Sequence, residues 1–275
     1  MSFWRLPLSR SRTKPERRRL MADLFIAGRI ASGDTLRFGW AMLPGEQQAE
    51  MYARGSLDGL LCDMQHGLVS YSDMVAMVRG VHRAGKPAYV RPPLDDFAMV
   101  SRALDAGAAA IVMPMINTSD DARRLVAAAK YPPLGERSWG PFPAMDASGL
   151  TAEEYLAGAN ELTKVFGMVE TQTALDNLED ICGVAGLDGV FVGPYDLSIS
   201  LSGGAMAGAG HAGVQEALPR IVAAAGNAGK IPGIYASNAD QVRQYADMGF
   251  RFISAANDRA IINAGLASAI GNGAN

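Results

Sequence analysis

Eight times between Leu36 and Ser254 a short apolar run is followed by a stretch with helical spacing, and no other feature of this 275-residue chain narrows its fold so far. The strand-like runs are Leu36–Leu43, Gly59–Asp63, Ala88–Arg91, Ala110–Met115, Val165–Glu170, Gly189–Val192, Gly233–Ala236 and Phe250–Ser254. Between them, apolar residues at helical intervals predict helices over Glu46–Arg54, Tyr71–Arg83, Asp96–Ala106, Asp120–Lys130, Thr173–Cys182, Val214–Ala228 and Ala239–Met248. Gly85, Gly107, Gly229 and Gly249 stand where helices should stop, as C-terminal caps. Strands joined by helical crossovers run parallel, and eight such units imply an α/β fold closed as a TIM (β/α)8 barrel. An open doubly wound sheet fits less well, because no glycine-rich dinucleotide fingerprint follows the first strand. A barrel of this kind takes about 250 residues, so residues 21–275 are expected to form a single barrel domain. Hydrophobic residues, 49% of the chain, suffice for its core.

The net charge of −3 conceals an asymmetry. Residues 1–20 hold Arg5, Arg10, Arg12, Lys14, Arg17, Arg18 and Arg19 against the single acid Glu16, and without this +6 segment the remainder carries −9. The segment has no apolar periodicity and is expected to be a basic, disordered extension. The acidic body has no broad basic face, so nucleic acid is not an expected partner. Two cysteines in apolar settings, Cys62 and Cys182, suggest neither a disulfide framework nor a thiolate zinc site and fit a reducing cytoplasm. No run of 18 apolar residues occurs, so no membrane span is expected. Two stretches break the alternation. Tyr131–Leu150 (YPPLGERSWGPFPAMDASGL) shows neither period and precedes a short helical segment at Ala152–Glu161; loops of this length are often functional. Ser202–Gly213 is glycine-rich without the lysine and spacing of a phosphate loop, and reads as a mobile rim.

The chemistry gathers where strands end. The run KVFGMVET finishes at Glu170, and in LDGVFVGPYDLSISLS the pair Gly193-Pro194 stops a strand just before Asp196. Ligands of parallel barrels collect at the carboxyl ends of the strands, so two acids there suit a divalent cation. Equally, both could be helix-start carboxylates that satisfy free N–H groups. The second strand ends in DMQHG, with Asp63 and His66 three residues apart. A carboxylate can orient an imidazole and raise its basicity, although the histidine could instead cap the next helix. Arg91 leads into Pro92-Pro93, whose fixed backbone aims it at the same rim. There it would meet an enolate or keto oxygen, or pair with Asp63.

DMQHG, VRPP, ALDAGAAAIVMPM, KYPPLGERSWG, MVET and LDGVFVGPYDLS, in this order, resemble the HpcH/HpaI aldolases, metal-dependent class II pyruvate-type aldolases of the phosphoenolpyruvate/pyruvate barrel superfamily. The resemblance runs from about Leu36 to Ala256. It implies cleavage or formation of the carbon–carbon bond of 4-hydroxy-2-oxo acids, with a small 2-oxo acid and an aldehyde as partners. Glu170 and Asp196 would be ligands of Mg, Mn or Co. His66, paired with Asp63, would move a proton, and Arg91 would sit at the keto or enolate oxygen. Asp105 would serve a neighbouring subunit's active site in a homo-oligomer, a hexamer being one such assembly. The Gly193 backbone would lie beside the bound carboxylate. Two departures stand out. Many members carry glutamine where this chain has Met168, and the Trp139–Phe142 loop is bulkier than expected, which assigns substrate selection to Trp139. Enolate chemistry of this kind also suits an oxo-acid decarboxylase or a citrate-lyase-β-like lyase of CoA thioesters. A non-catalytic barrel that binds an oxo acid would need no proton-transfer pair. The apolar segment Ile261–Ile270 could pack on a partner barrel.

Overall fold

All eight strand-like runs become strands, parallel and paired in chain order: β1 (Leu36–Ala41), β2 (Gly59–Asp63), β3 (Ala88–Arg91), β4 (Ala110–Met113), β5 (Lys164–Val169), β6 (Gly189–Val192), β7 (Ile231–Ile234) and β8 (Phe252–Asn257). β8 returns to β1, with Leu36 opposite Phe252 and Trp40 opposite Asn257, and the barrel closes. The structure is a computed structural model that describes residues 26–205 and 207–271. The basic segment 1–20 lies outside the described residues. α1 (Ile26–Ala31) precedes the barrel, and α2 (Glu46–Ala53), α3 (Tyr71–Arg83), α4 (Phe97–Asp105) and α5 (Ser119–Ala129) wrap its first half. α6 (Phe142–Ser148), α7 (Ala152–Leu162), α8 (Gln172–Asp176), α9 (Leu178–Cys182), α10 (Pro194–Leu201), α11 (Ala212–Asn227), α12 (Ala239–Met248) and α13 (Asp258–Ile270) complete it.

Local chemistry sets these boundaries. Ser70, Thr118 and Thr151 each open a helix with a reciprocal capping box, closed by Asp73, Asp121 and Glu154. Gly249 ends α12 at φ 107, a conformation that would strain any residue bearing a Cβ. Three of the departures from the expected pattern have a local cause. Asn177, at φ −100 and ψ 13, divides Thr173–Cys182 into α8 and α9. Within the proline-rich loop, Phe142-Pro143 starts α6, because a proline in the first helical turn forfeits no internal hydrogen bond. β4 stops at Met113, before Met115, whose φ of 56 no strand can hold.

A period of two sorts the side chains. Cys62, Val90, Ile111, Val165, Val190 and Ile253 face the helices and join the larger apolar core, which includes Met77, Leu125 and Leu218. The alternate positions point inward, and aromatic rings fill the barrel. Phe252 stacks on Phe38 at 4.3 Å and on Phe166 at 4.6 Å, with Tyr89 edge-on at 5.0 Å. Each inward series continues toward the carboxyl end, from Leu61 to Asp63, Tyr89 to Arg91, Met168 to Glu170 and Phe191 to Gly193. The packing alternation thus delivers the polar groups of the site.

Phe252→Ala should lower stability by about 3–5 kcal/mol, the usual cost of emptying an aromatic position in a close-packed interior. Urea unfolding measures it, and an unchanged midpoint would mean that the ring does not hold the barrel.

Candidate active site

Above the aromatic layer opens a cavity of about 400 Å³, lined by Asp63, His66, Arg91, Glu170, Gly193 and Asp196, together with Trp40, Tyr195, Tyr235 and Asn257. Six of the eight residues singled out from the sequence therefore meet in one place. Two, Asp105 and Trp139, do not line the cavity of their own chain.

Asp63 is fully buried, and five donors converge on it. Arg91 grips it with both edges of a fork, Nε to Oδ1 at 2.9 Å and Nη2 to Oδ2 at 2.6 Å. The Trp40 indole N–H donates at 3.1 Å, and the backbone amides of Gln65 and His66 donate at 3.0 and 3.2 Å. Burial alone would push the carboxyl up, but the Arg91 pair and the other donors more than offset it, so the group stays below the ordinary carboxylate range. The expected side-chain pair with His66 is accordingly not formed. Asp63 meets His66 through its backbone amide, because Arg91 and Trp40 hold the lone pairs that an imidazole would need. The exposed His66 ring lines the cavity without a hydrogen bond from any described residue. Arg91 lies 4.8 Å from the Trp40 ring, and its Nη1 is the guanidinium nitrogen left unpaired among the described residues. Of the two readings open for Arg91, the ion pair is formed, and one free donor still faces the cavity.

Glu170 sits in a different electrostatic setting. It is 3% exposed, and its Oε2 accepts one hydrogen bond, from the Met115 amide at 3.0 Å. Met115 presents that amide from the left-handed region, which a non-glycine residue adopts at a cost of order 1 kcal/mol. A Cβ at Gly193 would fall well inside the contact distance of Glu170 Oε1 and press on its Cδ and Cγ, so glycine suits this close approach to a buried side chain. Burial first, and then the neighbouring Asp196, push the Glu170 carboxyl up to about 7. Of the two acids, Asp196 is a helix-start carboxylate, in the first turn of α10, but neither makes a capping hydrogen bond. Thr171 caps α8 through Ala174, and α10 has no side-chain cap bond. Among the described residues no group of three or more His, Cys, Asp or Glu side chains could hold a metal, so a cation here would rest on two protein carboxylates. The pair fits a hard divalent ion: both donors are oxygens, and the nearby Arg91 charge does not offset the burial and the Asp196 repulsion that raise Glu170.

Asp105 ends α4, which runs antiparallel to the strands, so it lies toward the opposite end of the barrel. Arg137, its side chain wholly buried, donates to Asp105 at 2.7 Å from 4.7 Å above the Tyr131 ring. Trp139 packs on Tyr131 and Tyr155 at 5.7 and 6.2 Å. This loop leads from α5 into β5 and thus leaves from the far face, so Trp139 cannot narrow its own chain's cavity. Sequence reasoning missed Trp40, Tyr195, Tyr235, Ser237 and Asn257 as lining residues. Trp40 was within reach, since it shares the inward parity of Leu36 and Phe38. Tyr235 and Asn257 were harder, because β7 and β8 end at positions other than those expected.

The sequence matches the profile of the family described as HpcH/HpaI aldolase/citrate lyase over residues 40–264. It is 36% identical over 226 residues to the hydroxypyruvate/pyruvate aldolase of Rhizorhabdus wittichii, covering 82% of this chain and 89% of that protein. It is 34% identical over 226 residues to the 2-keto-3-deoxy-L-rhamnonate aldolase of Escherichia coli O17:K52:H18, covering 82% and 84%. The crystal structure of an HpcH/HpaI aldolase from Desulfitobacterium hafniense superposes with a TM-score of 0.82 at 26% identity, over 90% of this chain and 95% of that one.

Asp63→Asn should cost about 3–5 kcal/mol, because it strands the Arg91 charge in a low-dielectric interior. Arg91→Met in the same protein should return part of that loss. Equal urea midpoints for wild type and Asp63→Asn would show that the pair is not desolvated.

Proposed function

The chain belongs to the HpcH/HpaI aldolase/citrate lyase family, and on that premise we propose that it is a class II aldolase that makes or breaks the carbon–carbon bond of 4-hydroxy-2-oxo acids. It is an enzyme, an aldolase of the lyase class with a pyruvate-type donor. The observation that carries the detailed reading is the buried, uncompensated Glu170 beside Asp196, on the same rim as a locked Arg91. A divalent cation held by these two carboxylates, Mg or Mn before Co, would supply Lewis acidity toward the keto and carboxylate oxygens of the 2-oxo acid.

The chain's own residues do the rest. Arg91 Nη1 donates to the keto oxygen, where negative charge grows as the donor becomes an enolate. Asp63 and Trp40 hold that guanidinium beforehand, so it stabilises the charge without reorganising. His66, its imidazole without a hydrogen-bond partner among the described residues, takes the proton of the C4 hydroxyl in cleavage and returns it in addition. Asp63 supports this by pinning the turn that carries the ring. The Gly193 backbone, with no Cβ in the way, lies beside the donor carboxylate.

The same reading makes the protein a homo-oligomer, for which a hexamer is a candidate. Every residue from Arg259 to Gly271 is exposed, including Ile261, Ile262, Leu266 and Ile270, an apolar helix that a second copy would cover. On the far face, Arg137 Nε and Nη1 and Tyr131 Oη are buried without a hydrogen-bond partner among the described residues, beside Asp105 and Trp139. A neighbouring copy would place Asp105 at its own cavity and let Trp139 govern the choice of aldehyde. A reducing cytoplasm suits the two buried free thiols, Cys62 and Cys182, and among the described residues no helix is long and apolar enough to cross a membrane.

Glu170→Gln and Asp196→Asn should each lower kcat/KM by roughly a hundredfold, on the order of 3 kcal/mol, as when one electrostatic contact to a developing oxyanion is lost. Exhaustive EDTA should abolish turnover and Mn should restore it. Activity that survives chelation would rule out the mechanism. Light scattering should return a mass several times the 29.0 kDa of one chain. An active monomer would remove the shared-site reading.

A further inference from the structure

Four polar side chains in the cavity have no part in the chemistry above. Asn257 caps α13, and its Oδ1 accepts the Ala260 N–H at 2.8 Å. That bond settles which way the amide faces. Its Nδ2 is thereby turned to Tyr235 and donates to the phenol oxygen at 3.0 Å. Tyr235 thus accepts through Oη, and its O–H donates to nothing among the described residues. The ring cannot swing away, since it stands edge-on to Trp40 at 5.3 Å and 88°, and Trp40 is itself tied to Asp63. Burial raises the phenol above its ordinary range, so the donor keeps its proton at neutral pH. Nearer the mouth, Tyr195 Oη and Ser237 Oγ share a hydrogen bond of 3.3 Å. Whichever of them donates, the other keeps an O–H to offer. The Ser237 amide is anchored in turn to Gln241 Oε1 at 2.8 Å.

We infer that this wall reads a hydroxyl on the substrate carbon next to the bond that is made or broken, with the Tyr235 O–H as the fixed donor and the Tyr195–Ser237 pair as a second contact. The inference rests on the aldolase reading and names its substrate class. An alkyl group in this place would leave a half-buried, oriented donor unpaired, whereas a hydroxyl satisfies it. Sites built to bind a hydroxyl discriminate strongly against analogues that lack one. The hydroxylated carbon can belong to the acceptor aldehyde or to a 2-oxo acid hydroxylated at C3. The chemistry of recognition is the same in both.

The test uses the Mn-loaded full chain and two substrate pairs that differ by one hydroxyl. These are glycolaldehyde against acetaldehyde with pyruvate as donor, and hydroxypyruvate against pyruvate with acetaldehyde as acceptor. Wild type should favour the hydroxylated member of at least one pair by about tenfold or more in kcat/KM, and the pair that shows it identifies the source of the hydroxyl. Tyr235→Phe should cut that ratio about tenfold. Asn257→Asp retains the oxygen that caps Ala260 but turns an acceptor toward Tyr235, which draws its O–H out of the cavity. It should lower the same ratio even if Tyr235→Phe fails to fold, and the double variant should lower it no further. Ratios near one in wild type for both pairs, or a ratio untouched by either substitution, would overturn the inference. Exchange of the pyruvate methyl protons with D2O in the wild-type enzyme separates the two levels. Exchange with flat ratios sinks this inference alone, while absence of exchange sinks the aldolase reading and this inference with it.

Discussion

The polar groups that line the cavity stand above the layer of rings formed by Phe38, Phe166, Phe191 and Phe252. These side chains close the interior to water, so a charged group among them would have no solvation. Above that layer, at the carboxyl ends of the strands, inward positions carry Asp63, Arg91 and Glu170, and there the cavity opens. The same dry floor lowers the local dielectric. That makes each charge above it costly unless it is paired and strong when it is correctly placed.

The two buried acids of the rim illustrate both outcomes. Asp63 is saturated by Arg91, Trp40 and two backbone amides, and its proton stays off. Glu170 has a single amide and an acidic neighbour, and its proton is held more tightly. An acid supplied with donors keeps its charge and orders its surroundings, and one left with a single amide beside another acid holds its proton more tightly. From the acids alone the sequence could not say which was which, since both end apolar strands. The distinction belongs to partners that arrive from other strands.

Asn257 links the cavity to the start of the last described helix. One side-chain oxygen starts α13, an apolar helix exposed among the described residues, and the nitrogen of the same amide orients Tyr235 within the cavity. Whatever covers α13 therefore bears on how firmly that cap, and through it the Tyr235 hydroxyl, is held. On the opposite face, Arg137 is buried against the Tyr131 ring and pairs with Asp105.

By itself the sequence determined the eight β/α units, their order and the placing of Asp63, His66, Arg91, Glu170 and Asp196 at one edge. These depend on local periodicity and on glycine and proline stops, which neighbours along the chain enforce. Its ordered motifs also identified the family. Only the tertiary structure decided what those residues bind. Asp63 takes Arg91, 28 positions away, and not His66, three positions away, because barrel closure sets β2 beside β3 with Asp63 opposite Arg91. Likewise it carried Trp139 to the far face and brought Tyr235 to Asn257. Hydrogen-bond partners across a closed sheet follow from register and stagger, and the spacing of residues along one strand holds no record of either.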